Sequence, residues 1–317
     1  MSAPLAYIFP GQASQYAGMG SDLASSFPAA RQVFEEADEA LGFRISEICF
    51  KGSAEELQLT ENTQPAILTV SVAALSAMEA EGFPKPGYVA GHSLGEYSAL
   101  VAAGSLSLRD AVRTVRARGR YMQEAAPVGS GAMAAVLGAD LKTVMEACNE
   151  AQAGQVCMPA NINSPGQIVI AGDATAVDRA ISLLKERGAK RAIKLNVSAP
   201  FHCALMSPAQ ERLAADFEKI EFQDLRMPLV TNVDAAAITL GEEARDALVR
   251  QVSSPVRWQE SVEFLIQEGV KTFVEVGPGR VLSGLVRQIE RSARSLNVED
   301  AASLKAAHEA VDEAGAA

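Results

Sequence analysis

The chain has 317 residues, 48% of them apolar, and a net charge of −11. That length suits one large domain or one and a half, with enough apolar material for a real core. The acidic balance argues against non-specific nucleic-acid binding and the lack of any run of ~18 apolar residues against a membrane span, and four scattered cysteines (Cys49, Cys148, Cys157, Cys203) without C-x-x-C spacing argue against a zinc site or a disulfide framework.

The segment Met1–Gln12 has no basic stretch followed by a long apolar one, so a cytoplasmic protein with reduced thiols is expected. Leu5–Gly11 reads as a short buried strand ending in a turn. A helix over Ala30–Leu41 would bury Ala30, Val33, Phe34, Ala37 and Leu41 on one face. Ala66–Glu79 is nearly all apolar and reads as a buried helix. Tyr88–Gly91 (YVAG) is a short strand, and a helix follows from about Ser93.

Between Gly131 and Val197 the rhythm becomes strand, helix, strand, strand, helix, strand. This β-α-β-β-α-β order predicts a small ferredoxin-like subdomain, residues 128–198, inserted into a large α/β domain made of 1–127 and 199–317. The large part then resumes with a helix near Ala204–Ile220, a strand in PLVTNV, a helix from Trp258, a strand at Thr272–Val276 ending in Gly-Pro-Gly, and a helix aligning Val281, Leu282, Leu285, Val286 and Ile289. The Ala-rich end, from Ala301, reads as a frayed helix or a disordered tail. Alternating strands and helices imply a mainly parallel sheet covered on both faces.

The stretch Gly91-His92-Ser93-Leu94-Gly95 is a G-x-S-x-G between a strand and a helix. In that setting the serine sits on a sharp turn with its hydroxyl exposed, at a helix end that favours negative charge. The Leu94 N–H is then one candidate oxyanion donor. The plainer alternative is a glycine-rich turn with a capping serine. A serine nucleophile needs a base. Only His92, His202 and His308 exist; His92 adjoins the serine and His308 lies in the weak tail, which leaves His202. No acid completes a triad. Glu96 is expected to cap its helix or face solvent, Cys203 to be a buried thiol rather than a rival nucleophile, and a backbone carbonyl could orient His202 in place of an acid. Arg116, Arg118 and Arg120 are spaced by two, so on a helix Arg118 points away from the others, and an inward arginine needs an anion such as a carboxylate. The alternative for this cluster is a solvated basic face.

Seven segments, FPGQASQ, TQPAI, GHSLGEYSAL, RGRYMQ, NSPGQIVIAG, SAPFH and VEVGPG, occur in the order of one family, spanning about Leu5 to Ile289. Together they resemble the malonyl-CoA:acyl carrier protein transacylases of bacterial fatty acid synthesis. The resemblance implies a hydrolase-like α/β core with an inserted ferredoxin-like (βαββαβ) subdomain. It implies Ser93 as nucleophile, His202 as base and then acid, the N–H groups of Gln12 and Leu94 as oxyanion hole, and Arg118 as the holder of the malonyl carboxylate. It further implies that the main-chain carbonyl of Gln251 orients His202, and that Gln64, Asn161 and Asn163 line the cleft. Phe201, in APFH, resembles the phenylalanine of malonyl-selective members and would crowd a C2 methyl. Ala13 departs from the family's usual glycine. If that position needs positive φ, alanine costs on the order of 1 kcal/mol.

No bound cofactor or metal is implied; malonyl-CoA is the substrate and an acyl carrier protein the transient partner. With both proteins acidic, docking needs a local basic patch, and Lys185, Arg187, Lys190 and Arg191 supply a candidate. A monomer that binds neither nucleic acid nor membrane is expected. Competing readings are an acyltransferase serving a polyketide synthase, a serine thioesterase, and a non-catalytic carrier-binding protein.

Overall fold

A computed structural model describes residues 5–127, 129–197 and 199–316. Its strands are β1 (Leu5–Phe9), β2 (Tyr88–Gly91), β3 (Gly131–Leu137), β4 (Cys157–Ser164), β5 (Gln167–Asp173), β6 (Arg191–Lys194), β7 (Leu229–Val230), β8 (Ala237–Ile238), β9 (Thr272–Val276) and β10 (Arg294–Val298). They form two sheets, a six-stranded one ordered β10-β9-β1-β2-β7-β8 and a four-stranded one ordered β4-β5-β3-β6.

The large sheet is parallel except where β8 returns against β7. Its centre is β1, and the alternation of that strand sets the layers. Tyr7 and Phe9 face a core shared with Val89, Val274 and the helices Pro28–Leu41 and Thr60–Ala80. Ala6 and Ile8 face the opposite way, onto a core with Trp258, Val262, Leu282 and Val286. Side chains on successive strand residues point to opposite faces, so a central strand buried on both sides must be apolar throughout. The helix Thr60–Ala80 starts six residues before its apolar run and is buried along nearly its whole length.

The small sheet is antiparallel and has ferredoxin-like strand order. Helices Leu141–Ala151 and Ala174–Glu186 cover one face through Val144, Ala147, Val177, Ala180 and Leu184. Met133, Val169 and Ala171 on the other face join the large core beside Phe201 and Met206. This second contact seats the small sheet over the chain that leads to His202. The expected subdomain boundaries fall at Val128 and Ser198, which lie outside the described residues.

Several expectations need correction. Of the two alternatives for the carboxyl-terminal segment the helix is observed, Ala301–Ala316, but it is anchored rather than frayed at its start, because Leu304 and Ala307 share a face buried against the large core. Strand β10 is a further element, in which Arg294, Leu296 and Val298 alternate with Ser295 and Asn297. Leu41 is half-buried and Ala40 takes its place in the core, while Val281 is exposed at the first turn of its helix. In PLVTNV only Leu229 and Val230 pair as strand. Among the described residues no helix is long and apolar enough to cross a membrane.

Candidate active site

Strand β2 ends at Gly91 and the helix Gly95–Ala102 begins four residues later. Ser93 lies between them with φ 52°, a left-handed backbone that costs a residue with a side chain roughly 1–2 kcal/mol. Two close approaches make this turn possible. A Cβ on Gly91 would sit 1.9 Å from the Gly95 carbonyl carbon, and one on Gly95 would sit 2.0 Å from the Phe9 oxygen. The Ser93 N–H donates to Asn232 Oδ1 at 2.7 Å, which ties the turn to the end of β7.

His202 lies 109 residues further along, also left-handed (φ 57°), and is buried. Its Nε2 is 2.7 Å from Ser93 Oγ and its Nδ1 is 2.9 Å from the Gln251 main-chain oxygen. A carbonyl only accepts, so Nδ1 carries the proton and Nε2 is free to accept from the serine hydroxyl. Burial, with the Arg118 charge and His92 adding to it, pushes the imidazole pKa down to about 3. The base is therefore neutral across the ordinary pH range.

Arg118 comes from the helix Leu108–Glu124, where its neighbours Arg116 and Arg120 reach the surface carboxylates of Glu61 and Glu124. Arg118 instead turns inward and is 2% exposed. Its Nη1 donates to Gln64 Oε1 at 2.8 Å, and its Nη2 donates to Gln251 Oε1 at 3.0 Å and Ser93 Oγ at 3.1 Å. Its Nε has no partner among the described residues. Burial lowers its pKa, yet a guanidinium stays charged in any protein.

The structure distributes the remaining expected residues unevenly. The Leu94 N–H heads the helix that follows Ser93, while the Ser93 N–H is taken by Asn232 and those of Gly95, Glu96 and Tyr97 by carbonyls of the turn. Gln12 is in the loop after β1, whose Gly11 lies so close that a Cβ there would come 2.4 Å from the His92 oxygen. Ala13 in that loop has φ 86°, the left-handed conformation that glycine takes without penalty. Asn163 engages His92, Oδ1 to Nε2 at 2.9 Å, and Asn161 pairs its backbone with Val256. Phe201 is buried in the junction between the two sheets. Cys203 is fully buried, its Sγ donating to the Pro200 oxygen, and burial pushes its thiol up to about 12.

Two side chains escaped the sequence reading, and one was misplaced by it. Asn232 holds the elbow from both sides, since its Nδ2 also donates to the Gly91 oxygen at 2.6 Å. The Gln251 side chain, not only its carbonyl, enters the site. Glu96 neither caps its helix nor faces solvent. It is fully buried, accepting from the Asn232 N–H at 3.0 Å and from Gln251 Nε2 at 2.9 Å. Burial raises its carboxyl to about 7 against the opposing pull of those hydrogen bonds and of Arg118. A polar residue just beyond the carboxyl end of a parallel strand was the available signal for Asn232.

A serine, a neutral imidazole and a buried guanidinium thus meet at one hydroxyl oxygen. The family model described as an acyl transferase domain matches residues 6–313. Malonyl CoA-acyl carrier protein transacylases of Bacillus subtilis and Escherichia coli are 48% and 49% identical to this chain, covering 98% and 96% of it and 98% of their own lengths. The crystal structure of an acyl carrier protein S-malonyltransferase from Vibrio cholerae superposes with a TM-score of 0.95 at 46% identity, over 96% of this chain and 100% of that one. A malonyl-transacylase solved in complex with a type II PKS acyl-carrier protein gives 0.95 at 48% identity, over 97% of this chain and 100% of its own. The chain belongs to the acyl transferase family and, within it, to the malonyl CoA-acyl carrier protein transacylases.

Proposed function

We propose that this enzyme moves a malonyl group from malonyl-CoA to the phosphopantetheine thiol of an acyl carrier protein, through a malonyl ester on Ser93, and so supplies extender units for fatty acid synthesis. The observation that carries the reading is the Arg118 guanidinium 3.1 Å from the same Ser93 oxygen that His202 contacts at 2.7 Å. Malonyl has its carboxylate one methylene from the thioester carbonyl, so a nucleophile at that carbonyl needs its cation within a few ångströms. An ordinary esterase has no use for one there.

In the first half-reaction Ser93 Oγ attacks the thioester carbon as its proton passes to His202 Nε2. The C–S bond breaks, and CoA leaves with that proton. In the second, the carrier thiol gives its proton to His202 and attacks the ester, and Ser93 recovers the proton as the C–O bond breaks. The Gln251 carbonyl holds the imidazole through Nδ1–H in both directions, and the Gln12 and Leu94 N–H groups receive the oxyanion. Arg118 pairs with the carboxylate; Gln64, Asn161, Asn163 and Phe201 shape the cleft, with Phe201 disfavouring a C2 methyl. We assign the large domain to residues 1–127 and 199–317 and the small one to 128–198.

The carrier would approach over the small subdomain of a monomeric, cytoplasmic enzyme. Lys185, Lys190 and Arg191 are exposed and have no carboxylate partner among the described residues, whereas Arg187 is paired with Glu150. A carrier from polyketide synthesis is a second reading, favoured by the type II PKS partner of the solved relative. Incubation with radiolabelled malonyl-CoA, with and without carrier, tests the proposal. Label should accumulate on the Ser93 peptide and move to the carrier thiol. Label on Cys203, or release to water faster than to carrier, would overturn it.

A further inference from the structure

Gln251 is fully buried at the end of the helix Gly241–Gln251, and it addresses three parts of the site at once. Its main-chain oxygen takes the His202 Nδ1 proton. Its side-chain Oε1 accepts from Arg118, and its Nε2 donates to the Ser93 main-chain carbonyl oxygen at 2.9 Å and to Glu96 Oε2 at 2.9 Å. Arg118 is a pure donor and the carboxylate is an acceptor. Rotating the amide by half a turn would set donor against donor at Arg118 and acceptor against acceptor at Glu96. Resting on the transferase reading above, we propose that Glu96 is a positioning residue for malonyl transfer, locking Gln251 so that this one residue orients both His202 and Arg118 around Ser93.

The second grip of Glu96 supports the same role. The oxygen that holds Gln251 also accepts the Asn232 N–H, and Asn232 in turn accepts from the Ser93 N–H and donates to the Gly91 oxygen. One buried oxygen therefore braces the base, the cation and the nucleophile turn together. Reach matters more than charge here, because both donors converge on Oε2 while Oε1 has no partner among the described residues.

Two substitutions separate reach from charge. Glu96→Asp keeps the carboxylate but withdraws it by one methylene; Glu96→Gln keeps an oxygen at the same reach and removes the charge. Rates of the full-length chain are expressed per malonyl-Ser93 site formed, so that lost folded protein does not register as lost turnover. Glu96→Asp should lower kcat by about tenfold or more and reduce the malonyl-over-acetyl preference, with the KM for carrier unchanged. Glu96→Gln should recover kcat to within about threefold of wild type. Wild-type kcat and selectivity in Glu96→Asp would overturn the assignment, and so would a loss in Glu96→Gln as large as in Glu96→Asp. A wild-type chain that forms no malonyl-Ser93 would instead sink the transferase reading, and this assignment with it.

Discussion

The two sheets handle left-handed backbone differently. In the small subdomain the left-handed turns fall on glycines such as Gly138, Gly166 and Gly188, and among the described residues Ala153 alone keeps a side chain in that conformation there. In the large domain, around the carboxyl ends of the parallel strands, Ala13, Ser93, His202 and Ala235 carry side chains at φ of 86°, 52°, 57° and 51°. At Ser93 and His202 the side chain is the reagent, so glycine would relieve the backbone and remove the chemistry. Strain persists where the surroundings hold it and function needs it. At Ala13 no such exchange is visible, since the methyl group has no role in the site.

The largest effect is expected at the elbow itself. Ser93→Gly and Ser93→Ala should each lower transfer by at least about a thousandfold. Both remove the hydroxyl, but only glycine relaxes the turn, so denaturant unfolding should find Ser93→Gly more stable than Ser93→Ala by about 1 kcal/mol. Equal stabilities would mean that the elbow stores no strain.

The parallel-sheet end also buries charge, which pH can probe. Glu96 is raised from 4.5 to about 7, so the folded state holds its proton more tightly than the unfolded chain does. Its contribution is full below about pH 4.5 and is lost as pH rises through about 7. His202 is lowered from 6.5 to about 3 and acts with the opposite sign, its share being lost as pH falls below 6.5. That share is common to wild type and Glu96→Gln and cancels in their difference. Glu96→Gln should therefore gain on wild type between pH 5 and 8, by up to about 3 kcal/mol. A pH-independent difference would place Glu96 in water.

Arg118→Ala should depress malonyl transfer relative to acetyl transfer by roughly 10- to 150-fold, the loss of one charged hydrogen bond of about 1.5–3 kcal/mol; equal losses for both acyl groups would make the arginine structural. On the small subdomain, where no strained reagent is expected, reversing charge at Lys190 and Arg191 should raise the KM for carrier by roughly fivefold, about 1 kcal/mol, and spare that for malonyl-CoA. Ala13→Gly should raise stability by about 0.5–1 kcal/mol in thermal unfolding, since left-handed strain outweighs the added freedom of the unfolded chain. A destabilised variant would show that the Ala13 methyl packs usefully.

The same division explains what could be read from the sequence. The helix Leu141–Ala151 and the β3–β5 pairing depend on neighbours within about forty residues, and periodicity and a glycine turn identify them. Ser93 announces itself through two glycines that its turn requires, and His202 by elimination among three histidines. Glu96 looks like any acidic residue in a first helical turn. Its burial depends on Asn232 and Gln251, 136 and 155 residues away, and no local pattern encodes that meeting. Likewise Leu304 and Ala307 look weak alone but are sufficient once the large core lies beneath them.

The strand order carries a consequence for how the chain emerges from the ribosome. Strand β1 pairs on one side with β2 and on the other with β9, whose residues 272–276 are made long after β1 and β2. Until then the apolar central strand has one open edge, an invitation to the wrong partner. The small sheet, drawn from one continuous stretch, can close long before. Folding is thus expected to proceed in two steps, an early local one and a late long-range one that completes the sheet and the site together, with the interval between them the period of greatest exposure to aggregation.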